Sequence, residues 1–340
     1  MCSSVRILAR LAAGAALSFF AVHAYAQDQP VPQTPTIKVD VELVNIFFNV
    51  HAKKGGALIP NLEKNDFTVF EDGKQQTIQH FSRETDLPLT LGLLIDISAS
   101  QTRLIDIERD AASAFFSNVI RQKDEAFLIS FGKDTELLQD YTNSPRLLTA
   151  ALRDLRGDGI TPMIGNIPVN QGPVPTIGQP KGTLLYDAVY LASNEKLKTE
   201  VGRKALILIT DGVDEGSTYD IRTAIEAAQK ADAIIYSIYY VDRAFYSGGG
   251  FMIGGGGGEG YLRKMSEQTG GHVFTVDKKH PLNEIFKEIQ DELRNQYSIA
   301  YESTNPKRDG SFRRIEIKVD NPEYRVQARD GYYATPNDVQ

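Results

Sequence analysis

Cysteine is nearly missing from this chain: Cys2 is the single one in 340 residues. A core of that size does not depend on disulfides for its stability. Long apolar runs are also scarce. After the mostly apolar stretch from Leu11 to Tyr25 none recurs, so no later segment is expected to span a membrane. Positive charge is in deficit as well. The formal net charge is −7 with no sustained Lys/Arg cluster, which argues against nucleic acid and against binding anionic lipid by charge. His51, His80, His272 and His280 are scattered with no H-x-x-x-H pair, and no Gly-x-Ser-x-Gly elbow occurs. Neither of those hydrolytic signatures is therefore available.

What is present begins with a targeting pattern. Arg6 and Arg10 open the chain on positive charge, the apolar run follows, and Ala24-Tyr25-Ala26 supplies the small-x-small pattern that signal peptidase cuts. The run falls short of the roughly 20 apolar residues a comfortable span needs. Residues 1–26 are therefore read as a signal peptide, with export to the periplasm or exterior of a bacterium and a mature chain starting at Gln27. Cys2 would leave with that segment. Residues 27–36, QDQPVPQTPT, suit an extended leader.

Three stretches of different rhythm follow. Residues 37–86 show short β patterns, such as Val44 with Ile46-Phe47-Phe48 and Val50, and Phe67 to Phe70 ahead of an Asp72-Gly73 turn. Residues 87–296 alternate strands with helices. Leu89–Ile95, Ala126–Phe131, Ala205–Ile209 and Ala233–Tyr240 read as strands buried on both faces, Leu137-Leu138 as a shorter one, and His272–Val276 as another. Ile105–Val119, Leu147–Leu155, Leu184–Leu197, Ile221–Ala231, Tyr261–Thr269 and Leu282–Leu293 read as helices. Such alternation predicts an α/β fold, a Rossmann-like doubly wound and mostly parallel sheet with helices on both faces. Residues 297–340 return to β character, with strands expected at Tyr297–Tyr301, Phe312–Val319 and Tyr324–Ala328. Each terminal β segment alone would leave an apolar face uncovered, so the two are expected to pair into one small β unit flanking the α/β domain.

Asp96-Ile97-Ser98-Ala99-Ser100 stands where the first parallel strand ends, and Thr210-Asp211-Gly212 stands where the strand Ala205–Ile209 ends. Ligands of open α/β sheets bind beyond the carboxyl ends of strands, where the strand order reverses. Carboxylate and hydroxyl oxygens are hard ligands, which suit Mg²⁺, Mn²⁺ or Ca²⁺; zinc would call for His or Cys. Taken singly, either aspartate has the alternative of capping a helix or turn.

These residues make the chain resemble the von Willebrand factor type A family, whose metal-ion-dependent adhesion site combines D-x-S-x-S with a distant Thr and a distant Asp. Asp96, Ser98 and Ser100 match the first motif, Thr183 in Gly182-Thr183-Leu184 matches the threonine that opens a helix, and Asp211 matches the last position. The resemblance covers roughly Leu87 to Gln296. The flanks VELVNIFFNV, DFTVFEDGKQQTIQHFS and YSIAYES…FRRIEIKV…ARDGYY extend it to secreted bacterial proteins described as VWFA-related. One position departs: Ala99 stands where the family has glycine, and would strain the loop if that position required positive φ.

The resemblance implies a cation whose open position accepts a Glu or Asp from a protein partner. The expected function is thus an exported, metal-dependent protein-binding or adhesion module, not an enzyme. The alternatives are a metal-free scaffold in an exported assembly and a metal-assisted hydrolase. A haloacid dehalogenase-like phosphatase would need a second aspartate two residues after the first, where Ser98 stands. Two Gly- and Pro-rich insertions, 157–182 and 247–260, are expected to rim the metal face. The second lacks the Gly-Lys-Ser/Thr of a phosphate loop.

Overall fold

The computed structural model describes residues 43–84, 87–157, 182–242 and 258–335, with two short strands at 163–164 and 167–168. The segments read from sequence as signal peptide (1–26) and leader (27–36), and most of both insertions, lie outside these residues. The first β stretch holds β1 (Leu43–Ala52), β2 (Phe67–Glu71), β3 (Lys74–Gln76) and β4 (Ile78–Glu84). The alternating stretch begins with β5 (Leu89–Asp96), α1 (Ile105–Val119), β6 (Glu125–Phe131), β7 (Thr135–Thr142) and α2 (Pro145–Leu152). The short strands β8 (Met163–Ile164) and β9 (Ile167–Pro168) come next, then α3 (Leu185–Leu191), β10 (Arg203–Thr210) and α4 (Ile221–Lys230). β11 (Ala233–Tyr239), α5 (Gly258–Thr269), β12 (Val273–Thr275) and α6 (Leu282–Arg294) complete it. The last β stretch holds β13 (Gln296–Glu302), β14 (Phe312–Val319), β15 (Tyr324–Ala328) and β16 (Gly331–Tyr333).

The α/β part is a six-stranded sheet in the order β12-β11-β10-β5-β6-β7. Its pairings are parallel except β6 with β7. The chain moves outward from β5 to β7, then returns to place β10 on the other side of β5. The strand order therefore reverses between β5 and β10, the crevice where such sheets take ligands. Every residue of β5 and β10 is buried, as strands covered on both faces require. One face packs under α1, α2 and α6 through residues such as Leu91, Leu93, Phe116 and Phe286. The other packs under α3, α4 and α5 through Leu94, Leu206, Leu208 and Met265. Gly92 in β5 is a packing requirement: a Cβ there would meet the Phe127 ring and stand 2.6 Å from Leu206.

The terminal stretches pair with each other as expected, and the unit they form consists of two sheets. One has the order β15-β1-β13-β4 and the other β16-β14-β2-β3. Alternating residues from both sheets enclose a core of Ile46, Phe48, Phe67, Val69, Tyr297, Ile299, Ile315 and Ile317. Phe48 meets Phe67 edge-on at 5.2 Å and stacks on Tyr297 at 5.5 Å. β1 carries the arrangement, since it bonds β13 on one side and β15 on the other.

This sandwich meets the α/β part at the N-terminal ends of the parallel strands. There a buried Arg294–Asp124 ion pair joins the end of α6 to the residue before β6, and Asn49 Nδ2 donates to the Glu292 carbonyl at 3.0 Å. The C-terminal ends of β5 and β10 are at the opposite end of the sheet.

Three local expectations need correction, and one strand was missed. Leu137-Leu138 belongs to an eight-residue strand that runs antiparallel to β6. The expected helix Leu184–Leu197 is α3 followed by a π-helical segment, Ala192–Leu197. Gly258 to Gly260, assigned to the second insertion, form the first turn of α5. β16 was not foreseen, because three residues offer no periodicity to detect.

Candidate metal centre

The site starts from register. β5 and β10 pair so that Ile95 lies beside Ile209, which brings the next residues, Asp96 and Thr210, to the same level. Asp96 is fully buried. Its Oδ1 accepts the Ser98 backbone N–H at 2.9 Å, and its Oδ2 accepts the Thr210 hydroxyl at 2.6 Å. Ser98 Oγ lies 3.1 Å from Ser100 Oγ, and Ser100 Oγ donates to Asp211 Oδ2 at 2.7 Å. The other Asp211 oxygen accepts the Val213 N–H at 3.2 Å. Four of the five residues singled out by sequence thus belong to one hydrogen-bonded network at the switch point.

Thr183 reaches this rim through its backbone. It forms an antiparallel bridge with Glu215, four residues past Asp211, with N···O distances of 2.9 and 3.2 Å. Leu184 N–H donates to the Gly132 carbonyl just beyond β6 at 2.9 Å. The Thr183 hydroxyl is not a member of the Asp96–Ser98–Ser100–Asp211 network. α3 begins two residues later, at Leu185. The loop after Asp211 covers that helix N-terminus: Asp214 Oδ1 accepts the Tyr186 N–H at 3.1 Å, and Ser217 Oγ accepts the Asp187 N–H at 3.2 Å. Asp214 and Ser217 had no sequence signal, because their partners lie about 30 positions away, beyond the reach of any local pattern.

The departure at Ala99 is harmless. Asp72 and Asp232 are the non-glycine residues with positive φ among those described, so Ala99 needs no glycine. Its side chain is exposed. Glycine is required on the other motif. Gly212 has φ +76°, and a Cβ there would stand 2.5 Å from the Gly258 carbonyl oxygen. A Cβ on Gly258 would in turn collide with the Asp211 carbonyl. The last residues of the glycine-rich stretch therefore let α5 press directly on the backbone that carries Asp211.

Burial pushes the Asp96 carboxyl up to about 7, the negative Asp211 nearby adds to this, and hydrogen bonds from Ser98 and Thr210 pull it back. A divalent cation between the two carboxylates would offset the first two effects. Glu108 went unnoticed in the sequence. It is fully buried on α1, with neither carboxyl oxygen hydrogen-bonded among the described residues. Burial first, and then the charge of Asp96, hold its carboxyl well above the usual range. The available signal was its spacing: Glu108 shares the apolar face with Ile105, Ala112 and Phe115.

The oxygens gathered in this network include the carboxylates of Asp96 and Asp211 and the hydroxyls of Ser98 and Ser100. All are hard oxygens, which fits Mg²⁺, Mn²⁺ or Ca²⁺ and not a soft ion.

No family profile matches the chain, and no curated protein matches it in sequence. Among solved structures it is similar to the conserved hypothetical protein BatB from Bacteroides thetaiotaomicron, at 18% identity over 60% of this chain and 97% of that one, with a TM-score of 0.43. It is also similar to a von Willebrand factor type A protein from Catenulispora acidiphila, at 13% identity over 82% of this chain and 76% of that one, TM-score 0.45. A third is proximal thread matrix protein 1 from the mussel byssus, described with a zinc-occupied MIDAS motif, at 15% identity over 66% of this chain and 49% of that one, TM-score 0.44. These likenesses are of fold, and each description belongs to the protein that carries it.

Proposed function

We propose that this chain is an exported, metal-dependent protein-binding module. Asp96, Ser98, Ser100, Thr183 and Asp211 hold a Mg²⁺-type cation directly or through water, and a Glu or Asp from a partner completes its shell. The carrying observation is the hydrogen-bonded convergence of Asp96, Ser98, Ser100 and Asp211 at the point where the strand order reverses. Two carboxylates and neutral hydroxyls leave a bound divalent ion with residual positive field toward solvent. A carboxylate entering that field gains a charge-assisted contact that a neutral side chain does not. The chain itself is acidic, at net charge −7, so an acidic partner would otherwise be repelled and the cation serves as the bridge. The sandwich sits at the other end of the sheet, which leaves this end for a partner. The insertions at 157–182 and 247–260 are proposed to form the rim that sets specificity. The signal-peptide pattern in residues 1–26 supports export. The reading is of binding without turnover.

The test is partner capture from bacterial periplasmic or culture extract. Capture is expected to fail in EDTA, to fail with Asp211→Ala, and to weaken when the partner's contacting Glu or Asp is changed to its amide. Capture that survives all three treatments would mean that another surface binds, as in a metal-free scaffold.

A further inference from the structure

A groove of about 980 Å³ lies between α1 and the loop that joins β12 to α6. α1 is apolar on two sides. It buries Ile105, Ala112, Phe115, Phe116 and Val119 in the core. A second strip, Ile107, Ala111 and Ala114, lines the groove with the i, i+4, i+7 spacing of one helix face. Ile107 is 53% exposed, and the two alanines add little bulk to fill the space beside it. Val276 and Pro281 line the groove from the β12–α6 loop, and Tyr240 lines it from the end of β11.

Tyr240 ties this groove to the candidate metal centre. Its backbone N–H donates to the Thr210 carbonyl at 3.0 Å, and its carbonyl accepts the Gln101 side-chain amide at 3.1 Å. Thr210 precedes Asp211 and Gln101 follows Ser100, so one residue of the groove is bonded to both motif segments. Val276 N–H donates in turn to the Tyr239 carbonyl at 3.0 Å. The groove therefore opens at the carboxyl ends of the strands, the same end as Asp96 and Asp211. A chain seated at the cation has it within the reach of a few extended residues.

Charge narrows the kind of segment that fits. Lys278 and Lys279 line the groove, and neither has an ion-pair partner among the described residues. Asp277 beside them is taken up by its own turn, where Oδ1 accepts the Lys279 N–H at 2.7 Å and the His280 N–H at 2.8 Å. Asp110 is the acid on the α1 side. In a chain of net charge −7, the loop side of the groove thus offers two ammonium groups to an acidic segment. We propose that this groove is a second contact of the partner inferred above, and that it takes a large apolar side chain a few residues from the carboxylate at the cation, with a further acidic residue at Lys278 and Lys279. The inference rests on that reading of function and specifies the partner's chemistry: an apolar residue between two acidic ones. Burial of the apolar side chain adds affinity that a single carboxylate on an ion does not supply. The lysines orient the segment and speed its approach.

The probe is a displayed library of random linear peptides, selected on the full chain in Mg²⁺ and eluted with EDTA. Eluted peptides are expected to share an acidic residue and, a few positions away, a large apolar one with a second acid beyond it. Ala114→Arg, which fills the groove from an exposed helix position, and Ile107→Asn should each weaken their binding by about tenfold or more. Both variants should bind Mn²⁺ as the wild type does, with circular dichroism confirming their fold. Exchanging both lysines for Glu should weaken binding and reduce its dependence on salt. Peptides that carry an acid alone and bind both groove variants as tightly as wild type would overturn the groove and leave the cation reading standing. A groove variant that loses stability or changes oligomeric state with peptide binding intact would assign the groove to this chain or to a second copy, and also overturn the proposal. A library without EDTA-eluted binders would contradict the proposed function itself, and the groove contact with it.

Discussion

Asp96 and Gly212 show how much of this site is decided by single residues. Asp96 is held on both oxygens, by the Ser98 N–H and the Thr210 hydroxyl, before any ligand arrives. That preorganisation keeps the carboxylate from rotating away to solvate itself. Asp211 depends on the residue after it. Gly212 occupies a left-handed conformation against the Gly258 carbonyl, so Gly212→Ala faces both a φ penalty and a collision. Urea unfolding of that variant should show a loss of about 1–3 kcal/mol. A change within about 0.5 kcal/mol of wild type, the range of a neutral surface substitution, would refute the packing argument. The D-x-S-x-S and T-D-G segments were legible in sequence because chemistry forces rare side chains to the ends of apolar strands. Glu108 was not, since a lone carboxyl on an amphipathic face differs from its neighbours only in polarity.

Among the elements, β5, α1, β10, β14 and β15 could be bounded closely from periodicity alone. Their apolar positions recur either at every residue or at a clean spacing. β7 escaped in length and direction because its burial is intermediate or exposed throughout, as on the edge of a sheet. The division of the β segments into two sheets was also hidden, since alternation states that a face is covered but not by what. β1 is the element on which that arrangement turns, lying between β13 and β15. Removing residues 37–81 should therefore leave 297–334 sensitive to limited proteolysis, while the full-length chain protects it. Protection that persists in the truncated protein would show that the C-terminal strands are stable without β1.

On the scale of the whole molecule, the parallel sheet separates two tasks by its ends. The N-terminal ends of its strands receive the sandwich, through contacts such as the Asn49 amide on the Glu292 carbonyl. The C-terminal ends carry Asp96 and Asp211. This polarity follows from the fold itself: in an open α/β sheet the crevice forms on the carboxyl side, where the strand order reverses. A docking unit at the other end leaves that crevice available. The most direct test of the account is the stoichiometry of Mn²⁺ binding, followed by electron paramagnetic resonance. The full chain is expected to bind one Mn²⁺, competed by Mg²⁺, with binding lost in Asp96→Asn and in Asp211→Asn. Equal Mn²⁺ binding by wild type and both amide variants would contradict the assignment of the metal to this end of the sheet.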